Sequence, residues 1–375
     1  MLHLLTSLLV LTDLNGTVVF HDGLAGVPNY RIPSIIQTSN HTLIAFAEAR
    51  HGGDQSANRI AVRSSTDGGQ TWSDVVFAAG ATDTPDHRKE CAADATRCRV
   101  GNPAAVYDAI SQRVILLFAL RSFAAGEAAI GTGLATSSDG GRTWSPVRDV
   151  SADFGPASGS MPGPGTALQL DAKTSRHPGR LLVVGHHGPY QQDYVTYSDD
   201  LGATWTTISR TFPTMDEAAL TQLPNGSVLL NMRHANSSKV GRAVAISDDD
   251  GETFGPITFD ARLVSPVCQA SIVSFGGATY FSNPASSTGR NHLTIRKSVD
   301  STASWAPTTM LVQAGNSAGY SCLVKGELQG GAEQPGGPSR GHGRGGILYE
   351  DTAGSISFAT FPTDFSSRAG GGWDP

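Results

Sequence analysis

The sequence predicts an all-β chain built as a β-propeller, on three observations: a motif that occurs five times, short apolar runs between its copies, and a composition rich in turn formers. The motif is first met as Ser65-Thr66-Asp67-Gly68-Gly69-Gln70-Thr71-Trp72. It returns between Ser137 and Trp144 around Asp139, between Ser198 and Trp205 around Asp200, and between Ser247 and Phe254 around Asp249. A worn fifth copy from Ser298 to Trp305 keeps the serine, the aspartate and the tryptophan. The closing aromatics are spaced by roughly 50 to 70 residues, about one four-stranded blade with its loops.

Each copy follows an apolar or β-branched run, such as Ile60-Ala-Val or Ala243-Val-Ala-Ile. Aspartate and glycine then supply a tight turn, the carboxylate accepting backbone N–H groups and glycine tolerating a positive φ. The closing aromatic can bury its ring between sheets. Asp67, Asp139, Asp200 and Asp249 are therefore read as structural, because an identical residue in every blade marks a repeated turn, whereas one active site needs its residues once. Runs such as Val114-Ile-Leu-Leu-Phe-Ala-Leu, Leu181-Leu-Val-Val, Ser227-Val-Leu-Leu-Asn and Ser355-Ile-Ser-Phe-Ala-Thr-Phe fill the gaps as strands. No amphipathic helix longer than two turns is expected. Residues 326–346 are rich in glycine and proline and read as a flexible surface loop.

The chain has 375 residues, of which 44 are glycine, 20 are proline and only 16% are charged, a balance that suits short strands joined by turns. One domain is expected over residues 13–375, and a monomer. The net charge of −6 carries no block of like sign, which argues against a nucleic-acid partner. Only five of the 27 basic residues are lysine. The arginine excess suits an anionic ligand, since guanidinium forks match carboxylates, and suits a GC-rich gene equally.

Residues 1–12 are mostly apolar and read as a signal-peptide remnant or a disordered start, too short to span a bilayer as a helix. With the N-glycosylation acceptors at Asn15, Asn40, Asn225 and Asn236 they favour secretion and no stable membrane insertion. The cysteines at 91, 98, 268 and 322 form no CxxC pair. A local Cys91–Cys98 disulfide and two free thiols both fit, and Cys268 could pair with Cys322 only if the fold brings them together. The eleven histidines define no metal site, and His186 and His187 should point apart on a strand. No cofactor is expected.

Ahead of the first repeat stands Tyr30-Arg31-Ile32-Pro33, followed by Ala47-Glu48-Ala49-Arg50 and then Asp54. Together with the repeats these segments resemble the sialidase (neuraminidase) family, in the same order from about Val18 to Phe361. The resemblance implies a six-bladed β-propeller with Asp-box hairpin turns. It implies a retaining exo-α-sialidase acting on terminal sialic acids of glycans, glycoproteins or glycolipids. Arg31, Arg233 and Arg290 would clamp the substrate carboxylate through bidentate N–H forks. Tyr320, in Ala318-Gly319-Tyr320-Ser321, matches the family nucleophile, and Glu217 matches its glutamate partner. Asp216 is the adjacent competitor, and on a strand only one of the two can face the site. A phenol avoids the repulsion that a carboxylate nucleophile would meet at a carbon already bearing a carboxylate. Its ordinary pKa of about 10 calls for a neighbouring base. Asp54 matches the acid/base aspartate, which needs a raised pKa to donate near neutrality. Glu350 resembles the glutamate that orients the first arginine, and Glu48 and Arg50 resemble pocket residues near the substrate's C4 side. Asn102 and Gln269 fall in segments similar to pocket-lining ones, while Gly163-Pro164-Gly165 shapes a loop. Preference for the deaminated sugar Kdn, or transfer to a sugar acceptor, would share every catalytic residue. A non-catalytic propeller that binds glycans or proteins would have no reason to keep Arg31, Asp54, Glu217, Arg233, Arg290 and Tyr320 together.

Overall fold

The apolar runs become the inner strands of six small sheets. Val114 to Leu120 is buried without a break in the strand Arg113–Ser122, because a strand in mid-blade is covered on both faces by the neighbouring blades. The structure, a computed structural model, describes residues 9–11, 14, 16–53, 58–80, 98–122, 129–155, 159–171, 173–188, 190–314, 318–326, 343–351 and 354–365. Six sheets of four or five strands make a six-bladed propeller. Blade I runs outward through Asn29–Gln37, Leu43–Arg50, Asn58–Ser65 and Val76–Gly80. Blade II is Cys98–Asp108, Arg113–Ser122, Ala129–Ser137 and Arg148–Asp149. In blade III the innermost position is split between Ser160–Pro162 and Leu168–Gln169, both against Leu181–His187, followed by Gln192–Ser198 and Thr206–Pro213. The intervening Gly165–Thr166 pairs parallel to Ala104 and Ala105 of blade II.

Blade IV is Met215–Gln222, Val228–His234, Arg242–Ser247 and Thr258–Asp260, and blade V is Ser271–Phe275, Ala278–Pro284, Leu293–Ser298 and Thr309–Gln313. Leu9–Leu11 lies parallel to Thr309–Leu311 on blade V's outer edge. Blade VI takes Ser321–Val324, Arg344–Glu350 and Ile356–Pro362 from late in the chain, and its outer strand, Thr17–Phe20, from the start. The innermost strands of successive blades pack together in turn, and those of blades VI and I meet to close the circle.

All five repeat copies join the third and fourth strands of their blades. In the first, Ser65 Oγ donates to Asp67 Oδ1 at 2.7 Å and accepts from Gly69 N at 2.9 Å. Asp67 also accepts from Gln70 N, Thr71 N and Thr71 Oγ1. Desolvation opposes ionisation, but the bonds from Thr71, Ser65 and Gln70 together outweigh it and hold the Asp67 carboxyl down at about 2. The closing aromatics bridge blades: Trp72 meets Phe358 of blade VI, Trp144 meets Phe46 of blade I, and Phe254 meets Phe212 of blade III. Blade VI has no copy because its third and fourth strands are not consecutive, so no hairpin joins them.

The Gly-rich loop ends earlier than expected: Arg344, Gly345 and Gly346 pair with Pro362, Phe361 and Thr360. The glycines serve the strand, since a Cβ on Gly345 would lie 2.3 Å from the Phe361 ring and one on Gly346 2.7 Å from Phe358. Residues 327–342 lie outside the described residues, as do Asn15, Cys91 and the side chain of Cys98. Cys268 and Cys322 are both free thiols, buried in separate apolar clusters. Asn40, Asn225 and Asn236 are exposed. Among the described residues no helix is long and apolar enough to cross a membrane.

Candidate active site

First strands begin, second strands end and third strands begin at one face of the propeller, and the chemistry collects there. The aspartate turns sit at the opposite face, where third strands end, so Asp67, Asp139, Asp200 and Asp249 are remote from it. Arg31 enters from the start of blade I. Its register with blade I's second strand slips between Arg31 and Ser34, and Ile32 takes a φ of 62°. A bulge of this kind re-aims the side chain before it.

Glu350, the last residue of its strand, holds that bulge from blade VI. Arg31 donates to it through Nε at 2.6 Å and Nη2 at 3.1 Å. Ile32 N donates to Oε1 at 3.0 Å and Tyr320 N to Oε2 at 2.9 Å. One carboxylate thus fixes an arginine and the backbone of the tyrosine. Gly319 makes room for it, since a Cβ there would lie 1.9 Å from Glu350 Oε2.

Tyr320 is buried against Ile32 and Cys268. Its hydroxyl donates to Glu217 Oε1 and accepts from Arg233 Nη1 at 3.3 Å, while Arg233 Nη1 also donates to Glu217 Oε2. Burial first, then the Glu217 charge, raises the phenol well above its ordinary pKa, against the pull of Arg233. Arg31 and Arg290 each place a guanidinium carbon 5.5 Å from the Tyr320 ring centre. Ala318 N donates to Arg290 O at 3.0 Å, tying blade V's loop to the tyrosine segment. Three arginines, one phenol and two glutamates therefore converge from blades I, IV, V and VI.

The competition between Asp216 and Glu217 is resolved by geometry the strand rule did not anticipate. Register slips between Asp216 and Ala218, so the alternation of faces breaks and both carboxylates are buried in one neighbourhood. Glu217 meets Tyr320, whereas Asp216 Oδ1 lies 3.6 Å from His186 Nε2. Burial, with Glu217 beside it, raises the Asp216 carboxyl above its ordinary value, while His186 and Arg233 oppose the rise.

Glu48 stands opposite Arg31 in the ladder and accepts from Arg50 Nε at 2.7 Å and Asn102 N at 2.7 Å. Arg50, only 6% exposed, is a wall residue braced by Glu48. Gln269 is buried, its Oε1 accepting from Ser321 N at 3.1 Å, so its recorded contact is to the backbone beside the tyrosine. Asp54 lies outside the described residues. Among the described residues no group of three or more potential ligands could hold a metal ion.

Arg242, Tyr190 and Asp193 escaped the sequence reading, and His186 was considered there only as a metal ligand. Arg242 is fully buried, donating to Asn231 Oδ1 and Cys268 O at 2.8 Å each, and burial pulls its pKa down to about 10. A lone charge inside Arg242-Ala-Val-Ala-Ile was the available signal. His186 bonds Gly163 O through Nδ1 at 3.1 Å, and Tyr190 lies beside Arg233. Asp193 is fully buried, opposite His186, and neither carboxyl oxygen has a hydrogen-bond partner among the described residues. Burial, then Asp216, raises its pKa well above the ordinary range, with Arg242 opposing. The native state then keeps a proton that the unfolded chain releases above about pH 4, so stability falls as pH rises from there toward the native pKa. Asp193→Asn should therefore melt above the parent at pH 7 and converge with it near pH 4. Thermal melts across that range check this, and a pH-independent difference would show the carboxyl ionised in the native state.

A family model described as BNR repeat-like domain matches residues 41–329. A sialidase of Micromonospora viridifaciens is 33% identical over 372 residues, covering 91% of this chain and 52% of that protein. A sialidase of Bacteroides fragilis is 27% identical over 344 residues, covering 82% and 60%. The chain thus spans about half to three-fifths of the length of these two relatives. Among solved structures, the Hadza microbial sialidase Hz136 superposes with a TM-score of 0.76 at 26% identity, covering 93% of this chain and 68% of that one.

Proposed function

The chain belongs to the family of BNR repeat-like domains, and on that premise we propose that it is a sialidase, a retaining exo-α-sialidase using Tyr320 as nucleophile. The observation that carries the reading is the Tyr320 hydroxyl held between the Glu217 carboxylate and Arg233, under Arg31 and Arg290. A simple glycan-binding propeller has no use for a buried phenol hydrogen-bonded to a carboxylate.

The arginines bind the sugar carboxylate and so place the anomeric carbon near the phenol. Tyr320 Oη attacks that carbon as its proton passes to Glu217. The glycosidic C–O bond breaks, and the departing oxygen takes a proton from Asp54, the residue assigned by its motif. Water then attacks the tyrosyl glycoside as Asp54 takes up a proton, and Tyr320 leaves, recovering its proton from Glu217. Two inversions give net retention.

The test is release of 4-methylumbelliferone from its Neu5Ac α-glycoside between pH 4 and 8 with EDTA present, the first-formed anomer being read by NMR. Release of the α-anomer supports the reading, and a first-formed β-anomer overturns the tyrosyl intermediate. Kdn glycoside and added lactose distinguish substrate preference and transfer from plain hydrolysis. Silence on both glycosides would leave a binding propeller.

A further inference from the structure

Of the three arginines, Arg31 is held by a carboxylate at two of its nitrogens, whereas Arg233 meets Glu217 through Nη1 alone and shares it with the phenol. Arg233 Nη1 is shared between Glu217 and Tyr320, and its buried Nε has no hydrogen-bond partner. What covers the guanidinium is Tyr190, whose ring centre lies 5.3 Å from Arg233 Cζ. The two side chains are close enough for each to shift the other's proton affinity.

Tyr190 belongs to the short connection between Leu181–His187 and Gln192–Ser198 of blade III. It holds a φ of 55°, a left-handed conformation that is costly for an aromatic residue. Such a conformation persists only where the surroundings over-determine it. The loop is fastened to the link between blades III and IV by Thr214 N, which donates to Gln191 O at 2.8 Å. Tyr190 is therefore presented to Arg233 from a loop tied down at its neighbour Gln191, and it is half-buried.

We propose that Tyr190 is the positioning residue for Arg233: its ring holds the guanidinium against the Glu217–Tyr320 couple and turned toward the incoming carboxylate. The proposal rests on the sialidase reading above. An aromatic face attracts a guanidinium and restricts its rotation. The Tyr190 hydroxyl is also close enough to Arg233 to hydrogen-bond with it, and the phenylalanine variant separates its part from that of the ring. A carboxylate partner in that place would satisfy Arg233 and compete with the substrate.

The test uses Tyr190→Phe, Tyr190→Leu and Tyr190→Ala, with two probes: the 2,3-unsaturated sialic acid and its carboxyl methyl ester. Binding is measured calorimetrically, with kcat and KM on the Neu5Ac glycoside. Phenylalanine keeps the ring and should stay within about threefold of the parent on all readouts. Leucine and alanine should bind the free acid about tenfold more weakly and raise KM similarly, with the ester unchanged. Leucine fills the space without a π face, so it keeps the test open if alanine unfolds. Equal loss of acid and ester would mean that the ring touches the sugar itself or that the fold has loosened, and either overturns the proposal. No loss of either probe overturns it too. A parent protein that binds neither probe and releases no product would instead sink the sialidase reading.

Discussion

Tyr320→Phe is expected to lower kcat by at least about 10³-fold while leaving KM within a few-fold of the parent. The substitution removes one oxygen and keeps the rest of the local structure. The ring still packs on Ile32 and Cys268, and Arg31 and Arg290 still lie over it. Arg233 retains its bond to Glu217. Substrate binding, which depends on the arginines, therefore survives, whereas the first covalent step has no attacking atom. Burial has left the hydroxyl protonated at neutral pH, so Glu217 must take that proton as the C–O bond forms. Steady-state kinetics with a fluorogenic glycoside decides the matter, and near-normal turnover would remove Tyr320 as nucleophile.

Glu350→Ala should lower kcat/KM by about 10²-fold and destabilise the protein by about 3 kcal/mol. The carboxylate accepts from Arg31 twice and from the backbone N–H groups of Ile32 and Tyr320. Removing it leaves two backbone donors without their acceptor and frees Arg31, which is open enough for water to stabilise part of its charge. The loss should fall mainly on KM, because Arg31 binds the ground-state carboxylate. Glu350→Gln retains one acceptor oxygen and should lie between the two in both urea unfolding and kinetics. An alanine variant with unaltered KM would dissociate Arg31 from substrate binding.

The propeller was legible because its turns repeat a side-chain hydrogen-bond pattern that needs serine, aspartate and glycine at set spacings, and spacing is visible in a sequence. The sixth blade left no such mark, since Thr17–Phe20 reaches it from the other end of the chain. Arg31, Glu217, Tyr320 and Glu350 were legible through short segments resembling a family, and the structure brings all four together. The relation between Asp216 and Glu217 was not, because period-two reasoning assumes an unbroken ladder and a bulge intervenes. Asp193, Arg242 and Tyr190 were missed for a different reason: each matters through what a neighbouring strand or blade places against it.

Thr17 pairs with Phe358, and Phe20 with Ile356, so a strand made early must wait for one made much later before its hydrogen bonds can form. Contacts this distant along the chain are slow to form, and the loop entropy falls due before the pairing rewards it. Until that pairing forms, strand Ile356–Pro362 has an open edge, and Phe358, the partner of Trp72, is paired only to Leu348. Joining a second copy's early strand to that edge would be a natural failure of assembly, and domain-swapped dimers should accumulate when the chain is refolded at high concentration.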